Sequence, residues 1–215
     1  MRFEKGIAKK YRKSIEDAFD VMLEKGNDSH REVARLILDS KMHVRVKPVK
    51  EINASGVTGL IDAGDTSDRI EEERLNFHEA FDEIYIAIAE ETIETGGQRG
   101  CEGTFVHEGR HAYDFAKTIE SLSDADVNPL SVFDPTLYEL ELEAHITSGE
   151  YMLRVGLDEY IEEGVQLLIL GRDAERGGCF LNKEGIAVRL RDNYGLTPDV
   201  NPGPRASELL GLKQR

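Results

Sequence analysis

The chain has 215 residues, 40% hydrophobic and 32% charged, the balance of a globule that buries a real core, and its length favours one domain with appendages over two. A formal net charge of −15 argues against a nucleic-acid or anionic-membrane surface, since either needs clustered Lys and Arg. No apolar run approaches the ~18–20 residues of a membrane span, and the start, Met1 to Lys5, lacks a signal peptide's apolar stretch.

Ile7, Ala8, Tyr11, Ile15, Ala18, Phe19, Met22 and Leu23 recur at helical spacing, and Gly26 sits where that helix should stop. Ser29 with Glu32 three residues on predicts a capping box for a second helix through Val33, Leu36 and Ile37, with His30 at the surface. Residues 42–48 alternate apolar and basic side chains, the pattern of a half-buried strand with His43 on its polar side. The Gly-, Asp- and charge-rich segment 56–73 reads as loop, and His78 as a surface residue. Residues 83–90 alternate again, which places Ile84, Ile86 and Ile88 on one face of a second strand.

Past Gly96, Gly97 and Gly100, a helix is expected from Glu102 or Thr104 to near Ser121, followed by a loop over 122–133. Gly109 inside that helix costs roughly 1 kcal/mol relative to Ala, and a small residue there permits close packing. Asp134 as N-cap and Pro135 at the first helical position predict a further helix that ends at Gly156. Asp158 is expected to cap a helix from Glu159 to Leu170, stopped by Gly171, and Asn182 one that ends at Gly195. Residues 196–215, with Pro198, Pro202 and Pro204, read as an extended tail. The sum is an α+β fold, mainly helical, with a small antiparallel or mixed sheet beside the central helix. A single domain is expected over 1–195, with N-terminal helices in 1–40, a core at 83–155 and C-terminal helices in 158–195.

The two cysteines, Cys101 and Cys179, form neither a disulfide framework nor a C-x-x-C pair, so a reduced, cytoplasmic setting is expected, with export lacking a cleaved signal as the alternative. Cys101 precedes His107 by six residues and reads as a buried small hydrophobe rather than a metal ligand.

The central helix contains His107-Glu108-Gly109-Arg110-His111, an H-E-x-x-H pattern. Residues four apart share a helix face, so His107 and His111 can bind one metal ion. Glu108, rotated by about 100°, stands beside the ion, where it can take a proton from a water molecule. That is the arrangement of a zinc peptidase. A third protein ligand must come from elsewhere, leaving a fourth position open. The next helix offers Glu141 and His145, four apart on a face shared with Tyr138, while Leu137, Leu140 and Ala144 form an adjacent apolar stripe. Glu141, Glu143 or His145 can complete the set.

H-E-x-x-H followed about thirty residues on by Glu141-x-x-Ala144 resembles the gluzincin metallopeptidases, and within them the prenyl-protein endopeptidase type with its E-x-x-A-D. The resemblance covers residues 83 to 155 and implies a zincin-like domain. It also implies His107, His111 and Glu141 as zinc ligands, with Glu108 as general base. The chain departs from that pattern at His145, where the family has Asp, and it lacks the family's membrane helices. A weaker similarity, over about eight residues, links His107 to Asp114 with H-E-x-x-H domains of bacterial Rhs-type toxins. Lys117 stands where a metzincin needs a third histidine, and Cys101 does not match a peptide deformylase.

The expected activity is therefore zinc-dependent hydrolysis of a peptide bond. Tyr138 is the preferred donor to the oxyanion, ahead of Tyr151, Tyr113 and Arg110. The alternative is a catalytically silent metal-binding domain that recognises a peptide without cutting it. Substrate specificity is not written in any motif.

Overall fold

The first strand and helix already show how the core is made. The computed structural model describes residues 1–72, 74–123, 129–175 and 177–213. β1 (Arg2–Phe3) leads into α1 (Lys9–Lys25), whose apolar stripe of Tyr11, Ile15, Ala18, Phe19 and Met22 is buried. α2 (Asp28–Asp39) follows directly. Its cap is not Ser29 and Glu32. Asn27 accepts from the His30 N–H at 2.9 Å, and His30 Nδ1 accepts from the Asn27 N–H at 3.1 Å. With Nδ1 an acceptor, His30 Nε2 carries the proton that it donates to the Thr147 carbonyl at 3.0 Å. Both ring nitrogens are thus satisfied inside the protein, and His30 is buried rather than a surface residue.

The chain continues as β2 (His43–Lys47), α3 (Val49–Ile52), β3 (Gly56–Leu60), α4 (Ala63–Glu72), α5 (Phe77–Asp82), β4 (Ile84–Ala89) and α6 (Glu90–Ser123). The loop expected over 56–73 is corrected: it holds a strand and a helix. Gly56 and Gly59 lie within the strand and Gly64, Asp65 and Asp68 within the helix, only Ile61 and Asp62 separating the two, and Val57, Thr58 and Leu60 are strand formers that the overall polarity masked. β1, β2 and β4 run parallel, and β3 pairs antiparallel to β4, giving a mixed sheet in the order β1-β2-β4-β3. β4 is buried on both faces, since Ala87 and Ala89 are as enclosed as Ile84, Ile86 and Ile88. Helices cover this sheet, so its central strand reads as a continuous apolar run. His78 is exposed.

α6 begins at Glu90, more than three turns (at ~3.6 residues per turn) before the expected start, and runs beside the sheet. Gly97 interrupts it with φ 54° and ψ −136°, a conformation open to glycine. Gly109 abuts α2: a Cβ there would lie 3.0 Å from Val33 Cγ1 and 3.1 Å from Ile37 Cδ1. The loop expected over 122–133 lies partly outside the described residues. Within them, Pro129–Ser131 makes a single 3-10 turn.

α7 (Leu137–Val155) starts later than Asp134-Pro135 implied. Thr136 is its N-cap in a capping box with Glu139, whose carboxylate accepts from the Thr136 N–H at 2.7 Å. Asp134 accepts from the Ser207 N–H and hydroxyl instead. Gly156 closes α7 in the left-handed conformation. α8 (Asp158–Gln166) is shorter than expected, because Leu170 and Gly171 belong to β5 (Leu170–Arg172), paired with β6 (Cys179–Leu181). α9 (Lys183–Tyr194) is capped by Asn182 and ends at Gly195, as expected.

The segment after 195 is not a free extended tail. Pro204 and Pro202 offer carbonyls to the Leu137 and Tyr138 N–H groups at 2.8 and 2.9 Å, two of the donors that every helix start leaves unpaired. α10 (Ala206–Leu209) then folds back, and Ala206, Leu210 and Leu212 join the main core. The fold is α+β, with the small mixed sheet beside the H-E-x-x-H helix. Among the described residues no helix is long and apolar enough to cross a membrane.

Candidate functional site

α6 and α7 pack together, with Leu140 of α7 in the same core as Phe105 and Ala112 of α6, and this contact brings the polar residues of both helices together. His107 and His111, one helical turn apart, stand edge-on with ring centroids 4.8 Å apart and Nε2 atoms 3.2 Å apart. Glu141 faces them from α7, its Oε2 3.5 Å from His107 Nε2 and its Oε1 3.5 Å from His111 Nε2. These three are the ligand-type residues grouped within 4.8 Å of one another. For a tetrahedral zinc site with bonds of about 2.0–2.1 Å, ligand atoms lie about 3.3–3.4 Å apart. The two Nε2 atoms and the contact of each with one Glu141 oxygen come close to that spacing, the two histidines facing different oxygens of the carboxylate. Glu141 Oε2 is buried without a hydrogen-bond partner among the described residues, and a bound cation would relieve the cost of that isolation.

Electrostatics follow the geometry. Burial works against the carboxylate of Glu141, but His107 and His111 outweigh it and hold the group well below the usual carboxylate range. Burial likewise disfavours the charged form of His111, yet Glu141, Glu108 and Asp114 together raise its pKa.

Glu108 lies off the triangle, as its rotation on the helix requires. It is 8% exposed, and Thr58 Oγ1 lies 2.7 Å from its Oε2 and 3.1 Å from its carbonyl oxygen, donating to the nearer. Thr58 belongs to β3, the antiparallel edge of the sheet. The Ala89 N–H donates to the Ser55 carbonyl and the Ile61 N–H to the Glu83 carbonyl, which fixes the alternation along the strand. Val57 and Gly59 therefore bond inward to β4, and the N–H and C=O groups of Gly56, Thr58 and Leu60 turn outward. Gly56 sits against the helix so closely that a Cβ would lie 2.5 Å from Thr104 Cγ2 and 2.8 Å from Glu108 Cγ.

Two cavities flank the cluster. One of about 490 Å³ touches His107, Glu108 and His145; the other, about 250 Å³, touches Glu108, His111 and Glu141. Both reach Gly56, so the open space runs past the histidines along β3.

Other residues singled out in the sequence have different places. Tyr138, expected beside Glu141, packs with Ile169, Ile186 and Leu190 in a separate apolar cluster. The Tyr151 hydroxyl donates to buried Glu102 at 2.5 Å, Tyr113 packs edge-on against Phe77, and Arg110 is held by Asp114 at 2.9 Å. Glu143 points toward Arg110, 3.8 Å away, rather than to the histidines. Cys101 is fully buried, and burial pushes its thiol up to about 12.

His145 is 4% exposed, 3.9 Å from Glu141 Oε2 and with its ring 4.9 Å from that of His107, just outside the triangle. Burial lowers its pKa to about 3, and neither ring nitrogen has a hydrogen-bond partner among the described residues. Tyr194 of α9 lies edge-on to it at 6.0 Å. Sequence reasoning missed Thr58, Gly56 and Tyr194. The Val57-Thr58 pair between glycines was a readable strand signal; nothing local places Tyr194 opposite α7.

No family model matches this chain, and no curated protein and no solved structure matches it.

Proposed function

We propose that the protein is a zinc-dependent peptide hydrolase of the gluzincin type, with His107, His111 and Glu141 as metal ligands and Glu108 as general base. The observation that carries this reading is the cluster of His107, His111 and Glu141, one ligand atom of each within 4.8 Å of the others, with Glu108 held beside it by Thr58. When bound, zinc would supply Lewis acidity, lowering the pKa of a water molecule and polarising a carbonyl. Glu108 takes the proton of the attacking water and passes it to the departing nitrogen. Thr58 holds the carboxylate in one orientation for both transfers. The outward N–H and C=O groups of β3 offer an extended peptide a strand to pair with, directly above Glu108.

Metal analysis of purified protein with Glu108→Gln beside the wild type tests the proposal. Stoichiometric zinc in both, with hydrolysis of a peptide library in the wild type alone, is the expected result. Absence of zinc, or undiminished cutting by the variant, overturns it.

One observation favours the catalytically silent alternative. His145 stands close enough to Glu141 that a small ring movement would make it a fourth ligand and close the site. Zinc-loaded wild type that cuts nothing, with weaker zinc binding in His145→Ala, would support that reading.

A further inference from the structure

Beyond His111, the H-E-x-x-H helix carries a further buried carboxylate. Asp114, three residues on, is 1% exposed. Its Oδ2 accepts from Arg110 Nε at 2.9 Å, and Arg110 in turn stands 3.8 Å from Glu143 of α7. The other oxygen, Oδ1, is buried without a hydrogen-bond partner among the described residues. Asp114 is thus anchored at one oxygen and lacks a donor at the other.

A matching donor stands on the same helix. His111 turns Nε2 toward the cluster, 3.2 Å from His107 Nε2 and 3.5 Å from Glu141 Oε1. An imidazole that gives its Nε2 lone pair to a metal ion keeps its proton on Nδ1. His111 Nδ1 is also buried without a partner among the described residues. Two carboxylate oxygens share that condition, Glu141 Oε2 and Asp114 Oδ1. The first faces His107 Nε2 at 3.5 Å, which leaves the second. Side chains three apart on a helix are neighbours with Cβ atoms about 5–6 Å apart, within the joint reach of an imidazole and a carboxylate.

We infer that Asp114 is a positioning residue of the metal centre, its Oδ1 accepting a hydrogen bond from His111 Nδ1 when Nε2 binds the ion, with Arg110 holding the carboxylate in place. The inference rests on the proposed metal ligands and adds to them two residues that touch neither metal nor substrate. The bond fixes the tautomer and orientation of the ring, and the negative charge behind it makes Nε2 a stronger ligand. The carboxylate comes from the H-E-x-x-H helix itself, not from α7, where position 145 is a histidine. The device would serve a cutting enzyme and a silent metal-binding domain alike, so its test needs no substrate.

The Kd for zinc is measured by competition with a chelator of known affinity in wild type, Asp114→Asn and Asp114→Ala, beside the urea midpoint of each in EDTA. Zinc binding should weaken about tenfold in Asp114→Asn and about 100-fold in Asp114→Ala, the range that such outer partners supply. Proton–nitrogen correlation spectra of the zinc-loaded proteins add a readout that a loss of packing does not produce. In the wild type the His111 proton should sit on Nδ1 with a downfield resonance, and in Asp114→Asn that resonance should move upfield. Asp114→Asn is close to isosteric and carries the test where Asp114→Ala does not fold. A wild-type zinc Kd in Asp114→Asn overturns the inference, as does a His111 resonance that stays in place. A wild type that binds no zinc overturns the metal reading and this inference with it, a result distinct from equal zinc affinity in wild type and variant.

Discussion

The Thr58 hydroxyl lies 2.7 Å from the carboxylate of Glu108 and ties the edge strand β3 to the helix that carries both histidines. The strand that would align a peptide thus also orients the group that would move its protons. Removing this tie in Thr58→Val leaves the proposed zinc ligands untouched. Zinc content should stay at the wild-type level, while kcat on any cut peptide should fall about tenfold, a part of the ~10²–10⁴-fold that general acid–base groups contribute, since Glu108 itself remains. An unchanged kcat would mean that Glu108 needs no orienting partner.

Zinc should stabilise the fold as well as act in it. A ligand that binds only the native state adds about 2.7 kcal/mol at a free concentration one hundred times its Kd. The melting temperature should therefore rise on titrating zinc into EDTA-treated protein. His107→Ala should lose both the bound zinc and the shift. A variant that retains either would place the metal elsewhere.

Gly56→Ala should damage stability and site together. The new methyl would stand 2.5 Å from Thr104 Cγ2 and 2.8 Å from Glu108 Cγ, so either β3 or Glu108 must move. Overpacking of this kind costs about 1–3 kcal/mol. A urea midpoint equal to that of the wild type would contradict this contact.

Tyr151→Phe should weaken the α6–α7 junction at a distance from the ligands. Glu102 is 2% exposed and receives the Tyr151 hydroxyl at 2.5 Å and Gln98 Nε2 at 2.6 Å. Loss of a hydrogen bond to a buried charged group costs about 1.5–3 kcal/mol. The denaturant midpoint should fall, and zinc stoichiometry should not.

The metal-free protein should lose stability in mild acid through His145. Burial lowers its folded pKa to about 3, whereas an unfolded histidine titrates near its ordinary value of 6.5. Between these values the unfolded chain binds a proton that the folded chain refuses, so stability drops as pH falls from 6.5 toward 3. Above 6.5 both states are neutral and the effect vanishes. In EDTA, His145→Asn should therefore lose less stability than the wild type between pH 7 and pH 4, measured as the change in urea midpoint. Parallel curves for the two proteins would show that His145 is not buried neutral.

Much of the candidate site was legible because its parts are local. His107, Glu108 and His111 share one helix, and the i, i+4 rule that stacks two imidazoles needs no tertiary information. Glu141 was legible for a related reason, as Leu140 and Ala144 marked the side of its helix that would face inward. Local caps were read with mixed success. Asn182 and Gly156 acted as expected, while Asn27 and Thr136 displaced Ser29 and Asp134 because several capping residues crowd each helix start and only packing selects among them.

What the sequence by itself determined is the α+β class, the helices that carry the site, and a pairing of His107 and His111 with a second helix offering Glu141, Glu143 or His145. Tertiary structure alone decided which tyrosine lies near the histidines, that β3 flanks Glu108, and that the chain after 195 folds back to satisfy the start of α7. Those features join residues tens of positions apart, such as Thr58 and Glu108 or Pro204 and Leu137. Their partners are chosen by the burial of whole elements, and no periodicity along the chain records that choice. The H-E-x-x-H helix has its meaning from spacing; the cavities beside it exist because α7, α8 and β3 close around that helix.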